Sequence, residues 1–180
     1  MNEARKGIVL QMEVKKQYAA TEAVSYPVMH WFYISVGNSP NKQDKTKLFL
    51  PLEEGDVQKL ERHFAANPPF AKAHVMVGIK KPIISWFRFY PFGEYFPASD
   101  SYKTALRGTR IGEKVHHAIT EWLAANFPGY LVNHSSHWKI EPSRQAQLRG
   151  MGIDFKRSYP IAEYRDIVRQ HMARRFGMRF

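Results

Sequence analysis

Two adjoining runs, AHVMVGIK (73–80) and IISWFRFYPF (83–92), are rich in β-branched and aromatic residues and are separated only by Lys81 and Pro82. That composition, with so short a break, predicts two strands joined as a hairpin. VMHWFYISV (28–36) reads as a further strand of the same kind. Between these strands, PLEEGDVQKLERHFAAN places Val57, Leu60 and Phe64 at spacings of three and four, with acids in its first turn. This is the period and the polarity of a helix. Beyond the hairpin, Val115, Ile119 and Trp122 share one helical face with Ala118 and Ala125 beside them, and NFPGY ends that helix. YLVNHSSHW predicts a short strand. PSRQAQLRGMG predicts a helix opened by Pro142 and stopped by Gly152, IDFKRSYP another strand, and IAEYRDIVRQHMARRF a final helix, with Ile161, Tyr164, Val168, His171 and Arg175 at helical spacing. VGNSPNKQDKTK is the most loop-like segment. The expected architecture is one α+β or α/β domain over residues 1–180, built on a mixed sheet.

A chain of 180 residues is long enough to bury a core, and 44% hydrophobic with 14% aromatic residues is a folding composition. No apolar run is long enough for a membrane span, and the N-terminal residues lack the pattern of a secretory signal. There is no cysteine, which rules out disulfides and thiolate metal sites. A cytoplasmic protein is expected. Lys and Arg total 27 against 16 acids, a formal charge of +11. A field of that sign favours phosphate-bearing partners: nucleic acid, nucleotides, coenzyme A or an anionic surface. The competing reading is a solvated basic surface without a dedicated partner.

LRGTRIGEKV, ahead of the 111–126 helical pattern, concentrates the phosphate question. The first turn of a helix leaves backbone N–H groups unpaired and carries positive potential. Gly108 and Gly112 would let an anion approach the main chain, and Arg107 and Arg110 would add charge-assisted contacts. Equally, Gly108 makes a turn and Gly112 packs the helix on the sheet.

RGTRIG at Arg107–Gly112 resembles the acetyl-coenzyme A signature of the GCN5-related N-acetyltransferase (GNAT) family, Arg/Gln-x-x-Gly-x-Gly/Ala. PSRQAQLRGMGID resembles the family's next motif, with Gly152 and Ile153 in its Gly-Phe places. The resemblance covers about Ile83 to Tyr159. It implies a GNAT-like, mostly antiparallel mixed sheet flanked by helices. It also implies an acyl-coenzyme A cosubstrate whose pyrophosphate lies on Arg107, Gly108, Thr109, Arg110, Ile111 and Gly112. Asn133 and Ser135 would contact the pantetheine arm, and Glu94 is the position nearest the family's glutamate base. The chain departs from the family at Arg110, where glycine is usual. It departs again at Leu148, where a tyrosine often protonates the departing thiolate.

His116 and His117 sit together on a helix, and His134 and His137 lie on opposite faces of a strand. That arrangement argues against a metal site and leaves His134 as a proton acceptor beside the substrate. SWFRFYPFGEYFP interleaves an arginine with aromatics, either as a core strand or as a face that stacks bases. The leading reading is an acyl-coenzyme A-dependent N-acyltransferase acting on an amine, with the acceptor carried by a nucleic acid such as an aminoacyl-tRNA. The alternatives are a GNAT-like basic module that binds RNA, DNA or a large assembly without acyl transfer, and an interaction protein. An oligomer is compatible with each.

Overall fold

A computed structural model describes residues 5–16, 27–64, 71–78, 81–91, 110–134 and 142–180. Seven strands and four helices lie among them: β1 (Lys6–Lys16), β2 (Pro27–Asn38), β3 (Lys47–Pro51), α1 (Glu54–Phe64), β4 (Ala71–Gly78), β5 (Ile83–Pro91), α2 (Ile111–Asn126), β6 (Leu131–Asn133), α3 (Pro142–Gly150), β7 (Tyr159–Pro160) and α4 (Ile161–Phe176). The strands form one sheet in the order β3-β1-β2-β4-β5-β6-β7. It is mixed, because β1–β3 and β6–β7 pair antiparallel whereas β5–β6 pair parallel. The expectation of an α+β chain on a mixed sheet therefore holds.

The chain gathers into two compact units that draw on interleaved segments. In the first, β1 follows the two-residue period of a half-buried strand, with Ile8 and Leu10 fully buried and Val9 between them only partly so. β3 pairs with it in the register Ile8↔Leu50 and Leu10↔Leu48. The two backbones approach so closely at Gly7 that a Cβ there would overlap the Leu50 carbonyl oxygen and stand 2.8 Å from the Phe49 ring. Phe32 and Ile34 of β2 and Val57 and Leu60 of α1 complete the buried set with Ala71, Ala73, Ile111 and Val115. α1 carries Glu54 and Asp56 in its first turn, where acids complement the helix dipole.

The second unit holds the parallel pairing of β5 with β6. A parallel pair needs a long connection, and α2 supplies it. β5 and β6 pair over three residues, Ile83↔Leu131, Ile84↔Val132 and Ser85↔Asn133. The Leu131 amide also donates to the Pro82 carbonyl at 2.8 Å, and the Ile161 amide donates to the Tyr130 carbonyl at 2.8 Å. Ile119, Leu123, Val132, Leu148, Met151, Ile153, Tyr164, Val168 and Met172 are all at most 5% exposed. α3 ends as the sequence leads one to expect: Gly152 has φ 87°, its amide bonds to Arg149, and the Ile153 amide reaches back to Leu148 at 2.9 Å. That is a Schellman closure, and its positive φ favours glycine.

One expectation needs correction, and two strands have no counterpart in the sequence pattern. Residues 6–16 and 47–51 are strands, although neither segment reads as one from its sequence. IDFKRSYP forms turns rather than a strand, apart from Tyr159–Pro160. The Asp154 carboxylate accepts the Lys156 amide at 3.0 Å, and the Asp154 amide donates to the Tyr159 hydroxyl at 2.9 Å, so the backbone is held in a bend. α4 faces inward through Ile161, Tyr164, Val168, His171 and Met172, and Arg175 is exposed.

Candidate functional site

α2 begins where sequence reasoning places it, at Ile111, and the residue before it has an unusual backbone. Arg110 has φ 55°, the only positive value at a non-glycine residue among the described residues. Its carbonyl accepts the Lys114 amide at 3.2 Å and so closes the first turn of the helix. A left-handed residue followed by right-handed ones turns successive amides toward a common point, a backbone concavity suited to an anion. The amides of Arg110, Ile111 and Gly112 lie in that stretch, where a helix leaves its N–H groups without intrahelical partners. Ile111 is buried and anchors the turn, Gly112 is half-buried, and Arg110 is exposed. Lys114 stands 3.9 Å from Asp56, and Glu113 adds a carboxylate to the first turn. Arg107, Gly108 and Thr109 lie outside the described residues, as do Glu94, Ser135 and His137.

In the second unit, β6 ends with Asn133, half-buried opposite Ser85, and His134, which is 5% exposed. His134 does not stand alone. Its Nε2 lies 2.8 Å from the Tyr164 hydroxyl, which lies 2.8 Å from His116 Nε2. The three rings stack obliquely, with centroids 5.6 and 5.7 Å apart. His116 is fully buried and Tyr164 is 3% exposed, with the edge of Tyr159 against its ring. Three segments meet here: α2 brings His116, the residue following β6 is His134, and α4 brings Tyr164.

His117, the next residue along α2, points elsewhere, as the 100° turn per helical residue requires. Its Nε2 is 3.3 Å from Glu121, without hydrogen-bond geometry. Both oxygens of Glu121 are gripped by the Arg169 guanidinium, Nη2 to Oε2 at 2.7 Å and Nε to Oε1. The Phe180 ring covers both His117, at 5.2 Å edge-on, and the Arg169 guanidinium. Burial depresses the His117 imidazole below its ordinary value, with Glu121 opposing and Arg169 reinforcing. Burial alone would raise the Glu121 carboxyl, but Arg169 and His117 outweigh it and leave it below the usual carboxylate range. In the first unit, His74 is 2% exposed against Trp31, whose ring also carries Lys72 Nζ 4.9 Å from its centroid. No group of three or more His, Asp or Glu among the described residues is placed to hold a metal ion.

The structure thus places Arg110, Ile111 and Gly112 together in the first unit, and Asn133 and His134 at the end of β6 in the second. Leu148, in the family's tyrosine position, is fully buried core. The residue that sequence reasoning missed is Tyr164, which the helical period marks only as an inward position on α4. Its two partners lie 30 and 48 residues away, and no local pattern links them. No protein-family model, curated protein or solved structure matches this chain.

Proposed function

We propose that the chain is an acyl-coenzyme A-dependent N-acyltransferase of the GNAT kind, with the mouth of α2 as the seat of the coenzyme A pyrophosphate. The observation that carries this reading is the left-handed backbone of Arg110. The resemblance calls for glycine at that position, and glycine is the residue that adopts positive φ most easily. Arg110 departs from the family in its side chain but keeps the conformation that the glycine would supply. The loop can then present its amides to a pyrophosphate, and the guanidinium adds a bidentate, charge-assisted contact. The chain order supports the same reading, since α2 follows the motif and connects two parallel strands. So does a balance of +11, which favours a phosphate-bearing cosubstrate and an acceptor attached to nucleic acid.

In the reaction, the amine loses a proton as it attacks the thioester carbonyl, the C–N bond forms, and the C–S bond breaks as the thiolate leaves. His134 is the proton acceptor in this assignment. Its Nε2 lies 2.8 Å from the Tyr164 hydroxyl, which fixes the orientation of the ring. Isothermal titration with acetyl-coenzyme A tests the proposal: saturable binding is expected, and no heat at millimolar ligand contradicts it.

A further inference from the structure

We infer that residues 177–180 form a strap that lies over His117 and Arg169 while the His117 ring is neutral and lifts when the ring takes up a proton. The strap begins at Gly177, whose left-handed backbone (φ 64°) ends α4 and whose amide donates to the Ala173 carbonyl at 3.0 Å. No neighbouring group stands within 4 Å of where a Cβ would lie on Gly177, so this turn is a hinge without packing to disturb. Beyond it, the Phe180 ring meets His117 of α2 edge-on at 5.2 Å and the Arg169 guanidinium of α4 at 5.2 Å. Phe180 is 57% exposed, whereas His117 beneath it is 6% exposed. The cover is lightly held, and the ring it covers is dry.

The chemistry of the covered ring makes that seat sensitive to a proton. Both nitrogens of His117 are closed to solvent, and neither has a hydrogen-bond partner. Two charged groups face the ring: Glu121 on its own helix, with Oε1 3.3 Å from Nε2, and Arg169 on α4. Asp166 acts on Arg169 rather than on the histidine, and the strap, Gly-Met-Arg-Phe, holds no acid. A neutral ring has one N–H, which can point toward Glu121 and leave a lone pair on Nδ1. Protonation puts a hydrogen on both nitrogens and a positive charge beside Arg169. Glu121 can meet only the Nε2 hydrogen, and its Oε1 already accepts from Arg169 Nε. The Nδ1 hydrogen is then a charged donor without an acceptor, which a dry site does not tolerate. Lifting Phe180 admits water to it at the loss of one edge-on ring contact and one cation–π contact. The sign agrees: burial first, then Arg169, hold the covered imidazole below its ordinary value against the pull of Glu121. The ring therefore takes a proton more readily when the strap is open. The strap is shut above about pH 6.5 and opens as pH falls through the window beneath it. It uncovers a face of two cations, His117 and Arg169, that share Glu121.

Nuclear Overhauser contacts between the Phe180 and His117 rings, followed in the full chain from pH 7.5 to 5, test the strap. The contact is expected at pH 7.5 and should vanish with the midpoint of the His117 titration, which lies below about 6.5. Phe180→Ala removes an exposed ring and should raise that midpoint toward the ordinary imidazole value. A contact that survives protonation of His117 overturns the proposal, as does a midpoint that Phe180→Ala leaves unchanged. A His117 ring still neutral at pH 5 overturns it too. Val168 and Met172, fully buried in the same unit, separate local opening from unfolding. Their methyl signals should hold while Phe180 lifts, and their loss at the same midpoint would overturn the strap. No coenzyme A enters the test, so its outcome is independent of the acyltransferase reading.

Discussion

Arg110 holds a backbone conformation that costs an L-residue about 1–2 kcal/mol. Replacing it with glycine removes that strain while adding about 0.5–1 kcal/mol of chain entropy to be lost on folding. The Arg110→Gly variant is therefore expected to be equal to the parent or up to about 1 kcal/mol more stable in urea denaturation. Arg110→Val, β-branched and equally uncharged, is expected to be destabilised; equal losses for both variants would show that the backbone is not under strain. The buried histidines make a second residue-scale prediction. His117 and His30 are both held below the ordinary imidazole value, in each case chiefly by burial. The unfolded chain then binds more protons than the folded one just below about pH 6.5. Stability contributed by the neutral rings is fully present above that pH and declines as pH falls through the window beneath it. Denaturation midpoints measured from pH 7.5 down to 5 should fall, and His117→Phe should flatten part of the slope. Glu121 adds its own loss at lower pH, because its folded carboxyl lies below its ordinary value and protonation releases Arg169.

The elements divide by how locally they are determined. α1, α2 and α4 declare themselves through apolar spacing, first-turn acids and terminal glycines, all of which act within a few residues of one another. β1 and β3 do not. Ile8 and Leu10 alternate correctly, but charges on both sides shorten the pattern, and KLFLP follows a loop-like stretch. What makes them strands is their mutual pairing across some forty residues of chain, from Gly7↔Pro51 to Gln11↔Lys47. IDFKRSYP fails in the opposite sense, because Asp154 caps a turn that apolar content alone does not reveal. The candidate site divides in the same way. The start of α2 at Ile111 is legible in a contiguous stretch of sequence, whereas the His116–Tyr164–His134 chain exists only once three separate segments pack together. Two glycines test the elements directly. Gly7→Ala should cost about 1–3 kcal/mol, because its methyl overlaps the Leu50 carbonyl across the β1–β3 ladder. Gly152→Ala meets no crowding nearer than 3.6 Å but must adopt φ 87°, and is expected to cost about 1–2 kcal/mol. Thermal melts showing no loss for Gly7→Ala would contradict the close strand approach.

At the scale of the whole molecule the dominant property is charge. No helix among the described residues is long and apolar enough to cross a membrane, and the +11 balance raises the local concentration of any phosphate-bearing ligand. On the proposed acyltransferase reading, coenzyme A affinity should weaken with salt, as screening shortens the range of that field. On the proposed reading the coenzyme A pyrophosphate rests at the mouth of α2, and phosphorus-31 spectra of coenzyme A titrated with the protein test that placement. Comparison with Gly112→Asp isolates the site, because an aspartate in the first turn suits the helix dipole yet repels an incoming phosphate. The unmodified protein is expected to shift and broaden the pyrophosphate resonances, and Gly112→Asp, though folded, to leave them in place. Resonances that stay at their free positions with the unmodified protein, or that move equally with both proteins, would contradict it.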